Sequence, residues 1–217
     1  MAEPTWHIEP LAHEHIPGVA RLHVQCFPGY FLTNLGVRFL RHFYQDFIDS
    51  DLALGHVAVD KASGEVVGLV MGAVDLAAFR QWSFQQRPFR KMLIAFGRLF
   101  CSARLWGQAA SRVFGAIGRR LRAPLGKDKR KASSGPADRR ASLLSIAVAP
   151  GMRGSGVAME LIRRFERGIV EKGLSRISLT VFADNEQAIR FYEKAGWVVL
   201  KRKPHTVRFL RELPVKG

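Results

Sequence analysis

The chain has 217 residues, 47% hydrophobic and 24% charged, the balance of a soluble globular protein long enough to bury one core. Its two cysteines, Cys26 and Cys101, stand in no metal or redox spacing, so we expect two free thiols and no metal site. The net charge is +16, but sixteen lysines and arginines against two acids, Asp128 and Asp138, lie between Phe79 and Arg140 and carry +14 of it. The basicity therefore belongs to one segment, which argues against a nucleic-acid binder whose whole surface is positive.

Met1 to Pro10 has no basic n-region and no apolar h-region, and no run approaches the ~18 apolar residues of a membrane span. Cytoplasmic placement is expected. Trp6 to Leu11 reads as an opening strand. His13 to Phe27 reads as a helix, from Ile16, Val19, Ala20, Leu22 and Val24 near helical spacing. Leu32 to Ile48 reads as a second helix, with Leu35, Phe39, Leu40, Phe43 and Phe47 on one stripe and Asn34 as its cap. Leu54–Val59 and Val66–Val74 read as two strands joined by a turn at Ser63-Gly64.

The basic segment follows. Pro88 to Leu121 has helical periodicity that Gly107 divides, and Pro124 to Arg140 is a Gly-, Ser-, Lys- and Arg-rich loop. Regular structure then resumes: a strand over Ser142–Ala149, a helix over Val157–Glu171, a strand over Ser175–Phe182, a helix over Glu186–Lys194, and strands over Trp197–Lys201 and Thr206–Leu210. The order βααββ, insertion, βαβαββ predicts a single α/β domain over residues 1–217 (α+β, with a mixed sheet), carrying a basic helical insertion over 77–140 between its third and fourth strands.

One turn stands out. A buried strand runs through Ile146, Ala147 and Val148 into Pro150-Gly151-Met152, then Arg153-Gly154-Ser155-Gly156, and a helix opens at Val157-Ala158. Unpaired N–H groups at a helix N-terminus carry partial positive charge and accept phosphate oxygens. Glycine lets a ligand approach the backbone, and Arg153 adds a donor fork suited to phosphate. No Gly-Lys-Ser/Thr follows, so this is not a Walker loop, and the third small residue of a dinucleotide fingerprint is missing.

A second block lies about thirty residues on: Asn185-x-x-Ala188-x-x-Phe191-Tyr192-x-x-x-Gly196-Trp197. With Arg153-x-x-Gly156-x-Ala158, in this order and spacing, it resembles the two signatures of the GNAT superfamily of N-acetyltransferases. The resemblance covers all the chain except roughly residues 77–140. It implies the GNAT fold and acetyl-coenzyme A (acetyl-CoA) as co-substrate, with no metal. It also implies that the backbone of Ile146, Ala147 and Val148 pairs with the pantetheine arm. Arg153, Gly154, Ser155, Gly156, Val157 and Ala158 would cradle the pyrophosphate, Asn185 would bind the cofactor near its pantetheine portion, and Tyr192 would protonate the leaving thiolate. The other reading of Tyr192 is a core aromatic beside Phe191.

The chain departs from the family at Ser142, where many members place a glutamate as general base. His23, His56, Asp75 and Tyr30 are the alternatives. The acceptor would be a small-molecule or protein amine. The loop Cys26–Thr33, which the family commonly uses for the acceptor, is aromatic and has no acid. Three roles are open for the basic insertion: a helical lid, an anionic membrane surface, or contact with nucleic acid or an acidic substrate through residues 80–140. The competing function is a catalytically impaired GNAT-like module that binds membrane or nucleic acid through that insertion.

Overall fold

A computed structural model describes residues 4–86 and 139–214. Strands β1 (Trp6–Pro10), β2 (Ala53–Asp60), β3 (Val66–Ala73), β4 (Ala141–Val148), β5 (Arg176–Phe182), β6 (Val198–Lys203) and β7 (Thr206–Glu212) form one seven-stranded sheet in the order β1-β2-β3-β4-β5-β7-β6. All neighbours are antiparallel except β4 and β5. This is the expected mixed sheet, with the basic segment between β3 and β4.

Strand periodicity of two sorts the core into two layers. Val57, Val59, Leu69 and Met71 face one side, where α1 (Ile16–Cys26), α3 (Val37–Ile48) and α4 (Leu76–Gln85) cover them with Val19, Leu40, Tyr44 and Phe79. Ala58 and Val70 face the other, under α5 (Val157–Glu171). That helix buries Val157, Leu161, Phe165 and Ile169, one side chain every four residues. Each such burial contributes on the order of 1.5–3 kcal/mol. The final helix, α6 (Glu186–Lys194), sets Ile189 and Tyr192 into the same layer beside Trp197 and Phe209.

Three details differ from the sequence reading. The helix expected over Leu32–Ile48 is two: a single turn, α2 (Phe31–Asn34), and α3. Gly36 between them has φ +85°, outside the helical region, so the chain starts a fresh helix there. Asn34 therefore caps nothing; its Nδ2 donates to the Gly29 carbonyl at 3.2 Å. Helix α4 was not foreseen, and it lies within the span assigned to the insertion, with Phe79 in the core. The helices expected over Pro88–Leu121, nearly all of the Pro124–Arg140 loop, and Cys101 lie outside the described residues. Among the described residues no helix is long and apolar enough to cross a membrane.

Candidate functional site

The parallel strands β4 and β5 touch at only two positions, Ala141 with Ile177 and Ser142 with Ser178. Beyond them the strands part. The register of β4 against β3 slips at the same place, so that Leu144 is an extra residue between the pairs Gly72–Leu143 and Met71–Ser145. A bulge increases local twist and bends its strand, which is what turns β4 away from β5. A cleft of about 320 Å³ opens between them, with Leu143 to Ile146 on one wall, Leu179 to Phe182 on the other, and Tyr192 among its lining residues. Past Ser142, β4 is bonded on its β3 side alone, so alternate N–H and C=O groups of this strand face the cleft as they would at a sheet edge.

Strand β4 delivers the chain into a 3₁₀ turn, Pro150–Met152, and then the glycine loop. Gly154 and Gly156 have φ +82° and +88°, and a Cβ built on either meets no atom within 4 Å. The glycines are thus required by backbone conformation, and the space over them is open. Gly156 is the N-cap of α5, no side chain caps that turn, and the first bond into the helix is Glu160 N–H to Gly156 C=O at 3.1 Å. The N–H groups of Val157, Ala158 and Met159 precede that bond and have no partner within the helix. The Ser155 hydroxyl donates to the Met152 carbonyl at 2.6 Å and so stiffens the loop. The end of α1 abuts the same corner, where the Cys26 thiol donates to the Val148 carbonyl at 3.4 Å. Burial raises that thiol's pKa, against the opposing pull of Arg153.

Helix α6 brings the second motif to the cleft. Asn185 lines it and is also the N-cap of α6, its Oδ1 accepting from Ala188 N–H at 3.0 Å. Its Nδ2 is left over for another partner. Tyr192 is 4% exposed and packs against Trp197 and Phe209, with ring centres 5.6 and 5.8 Å away. Tyr192 is thus a core aromatic, and it also lines the cleft. Its hydroxyl has no hydrogen-bond partner among the described residues, and burial pushes the phenol's pKa well up. A phenol so placed stays protonated and able to donate.

A second pocket, of about 480 Å³, adjoins the cleft and shares Phe27, Tyr30, Leu144 and Ser145 with it. Of the four alternative bases, His23 and Tyr30 line this pocket. His23 is 5% exposed; its Nδ1 lies 2.7 Å from the Tyr44 hydroxyl and its Nε2 has no partner. Burial lowers its pKa to about 4, so the ring is neutral at physiological pH. Tyr30 spans the two cavities, its ring 5.4 Å from Phe27 and 6.1 Å from Phe182. His56 is on the opposite face, beside Gly168 of α5, its pKa lowered to about 4 by burial and by Arg164 and Arg167. Asp75 is the N-cap of α4, accepting from Ala77 and Ala78 N–H at 2.9 and 3.0 Å. Ser142 sits at the apex of the splay. Sequence reasoning missed Arg80 and Ser83, which α4 brings to this pocket. The signal was present in Asp75, a capping residue ahead of Leu76-Ala77-Ala78-Phe79.

The profile of the acetyltransferase (GNAT) family matches residues 16–197. The chain belongs to that family. Acetyltransferase ECA0875 of Pectobacterium atrosepticum is 40% identical over 55 residues, a quarter of this chain (25%) and 39% of that protein. The match thus spans about two fifths of its length. The fold matches a spermidine N-acetyltransferase chimera of Vibrio cholerae SpeG and hSSAT, at TM-score 0.57 and 15% identity over 96% of this chain and 95% of that one. It also matches the PaiA N-acetyltransferase of Thermoplasma acidophilum in complex with coenzyme A, at TM-score 0.56 and 12% identity over 95% and 98% of the two chains. Among the described residues no group of His, Cys, Asp or Glu could hold a metal ion.

Proposed function

We propose that this GNAT protein transfers an acetyl group from acetyl-CoA to a primary amine. The observation that carries the reading is convergence: one bulged strand, β4, leads from the wall of a cleft containing Tyr192 to an uncapped helix N-terminus. This arrangement suits a ligand with a thioester at one end of an extended polar arm and phosphates at the other. The arm lies along β4, where Ile146, Ala147 and Val148 offer backbone groups. The loop Arg153–Ala158 takes the pyrophosphate, and Asn185 donates its spare N–H to the arm. The complex of PaiA with coenzyme A supports the same ligand class.

The amine reaches the thioester from the adjoining pocket. Its nitrogen attacks the carbonyl carbon, and the C–N bond forms as the C–S bond breaks. Backbone N–H near Val148 stabilises the charge on the carbonyl oxygen. The sulfur takes a proton from the Tyr192 hydroxyl, and the proton lost by nitrogen restores the phenol through solvent in the open cleft.

Isothermal titration with acetyl-CoA tests the first half. Binding that Arg153→Ala weakens about tenfold, by the loss of one charge-assisted hydrogen bond, is the expected result. No binding by a folded sample would remove the transferase reading.

A further inference from the structure

The pocket beside the cleft has no carboxylate among the described residues that line it. Phe27, Phe43, Phe47, Met71 and Phe79 make most of its wall. Asp46 of α3 is buried, but it accepts from the Ser83 hydroxyl and does not line the pocket. The titratable groups facing the space are His23 of α1, Tyr30 of the following loop and Arg80 of α4. Tyr44 of α3 stands behind His23 as its hydrogen-bond partner, and Cys26 stands close to Tyr44. The sheet contributes Met71, Leu144 and Ser145, none of them ionised. Among the described residues of the lining, the only permanent charge is thus a cation, Arg80.

An ammonium group entering here would leave water for aromatic walls with no counter-ion and a guanidinium nearby. Removing an unpaired charge from water costs several kcal/mol, even after relaxation. The uncharged amine avoids that cost, and its nitrogen lone pair is already free to attack. Resting on the acetyltransferase reading above, we propose that the acceptor is a weakly basic primary amine on an uncharged ring or apolar body, taken up as the free base, and not an alkylammonium such as a polyamine or a lysine side chain. His23 is the polar group poised for it. Its Nδ1 lies 2.7 Å from the Tyr44 hydroxyl, and its Nε2 is buried without a partner.

Such a pocket separates amines by basicity. At about pH 7.5 an α-amine is roughly one-third free base, whereas a lysine-type amine is about 0.1% free base. It also removes the need for a strong base where Ser142 stands, because deprotonation precedes binding.

The test uses the full chain, acetyl-CoA and a matched pair, phenylalaninamide and 2-phenylethylamine, with spermidine as a third acceptor. Coenzyme A release is followed from pH 6.5 to 10. At pH 7.5 kcat/KM should favour phenylalaninamide over 2-phenylethylamine on the order of a hundredfold, the ratio of their free-base fractions. The preference should fade near pH 10, each profile bending at the pKa of its own amine. Arg80→Glu should narrow the gap several-fold by admitting ammonium. Preference for spermidine, equal use of the pair at pH 7.5, or one inflection common to both amines would overturn the proposal. So would turnover of none of the three by protein that binds acetyl-CoA in the calorimeter. Failure to bind acetyl-CoA would instead bring down the transferase reading beneath it.

Discussion

The two cavities that meet at Leu144 and Ser145 are built from different materials. The cleft between β4 and β5 is shaped by main chain: a two-pair parallel contact, one bulge, and a glycine loop that opens a helix. Most of its lining comes from one stretch of sequence, residues 141–192, joined by Phe27, Tyr30 and Thr206. The pocket beside it is shaped by side chains from α1, α2, α3, α4 and β3, brought together across the fold. Main-chain geometry can serve one ligand under many sequences. A wall of side chains changes its ligand with each substitution. A main-chain site for one ligand can in this way be joined to an adjustable choice of acceptor beside it.

Each layer buries one histidine, and acid should expose both. His23 and His56 have folded pKa values of about 4 against 6.5 when free. The unfolded chain binds more protons between those values, so stability is complete above about pH 6.5 and falls as pH drops toward 4. The loss approaches about 3 kcal/mol for each residue. Chemical denaturation at pH 7 and pH 4.5 should show it. His56→Gln should flatten the pH dependence on the α5 side and leave coenzyme A release at neutral pH unchanged. An unaltered acid limb in both His56→Gln and His23→Gln would show that neither ring is held neutral by burial.

The next effect separates binding from chemistry within the cleft. Tyr192→Phe keeps the packing on Trp197 and Phe209 and removes the hydroxyl. We expect kcat to fall at least about 100-fold, the lower end for a lost general acid, with the acetyl-CoA Kd unchanged. A fall in thermal stability with unaltered kcat would return Tyr192 to a purely structural role. Gly156→Val strikes the main chain instead. It forces a β-branched residue to φ +88°, and should weaken acetyl-CoA about 30-fold, by roughly 2 kcal/mol of lost loop geometry and donors. Acceptor discrimination should survive in both variants, because neither residue lines the amine pocket.

The same contrast explains what could be read from the chain before its structure. The order of elements along the chain, α5 and α6 follow from local patterns: Val157, Leu161, Phe165 and Ile169 repeat every four residues, and the Arg153–Ala158 and Asn185–Trp197 blocks are contiguous. The pairing of His23 with Tyr44, 21 residues apart, leaves no such trace, since long-range side-chain contacts have no period. Nor does the bulge at Leu144, because an extra residue in a strand looks like any other apolar residue until its partner strand is known. The break at Gly36 is a nearer miss. Gly36 stands inside the apolar stripe of Leu32–Ile48, and its positive φ makes it a boundary. Helix α4 carries its start signal in Asp75, but it spans only ten residues and runs into the basic segment, so no separate element stands out in the pattern.

The smallest effect bears on a residue that caps a helix and also faces the ligand's cleft. Asn185 accepts from Ala188 N–H through Oδ1 as a helix cap, and its Nδ2 is the group assigned to the acetyl-CoA arm. Asn185→Asp keeps an acceptor for the cap and removes the donor. It should leave the melting temperature nearly unchanged and weaken acetyl-CoA by a few-fold, about 1 kcal/mol. Asn185→Ala removes both functions, and should add about 1 kcal/mol of lost helix stability to the same loss of affinity. If Asn185→Asp binds as well as the parent while Asn185→Ala binds worse, the side chain acts only by holding the end of α6 in place. The cleft would then recognise the arm through main chain alone, which is the stronger form of the contrast between the two cavities.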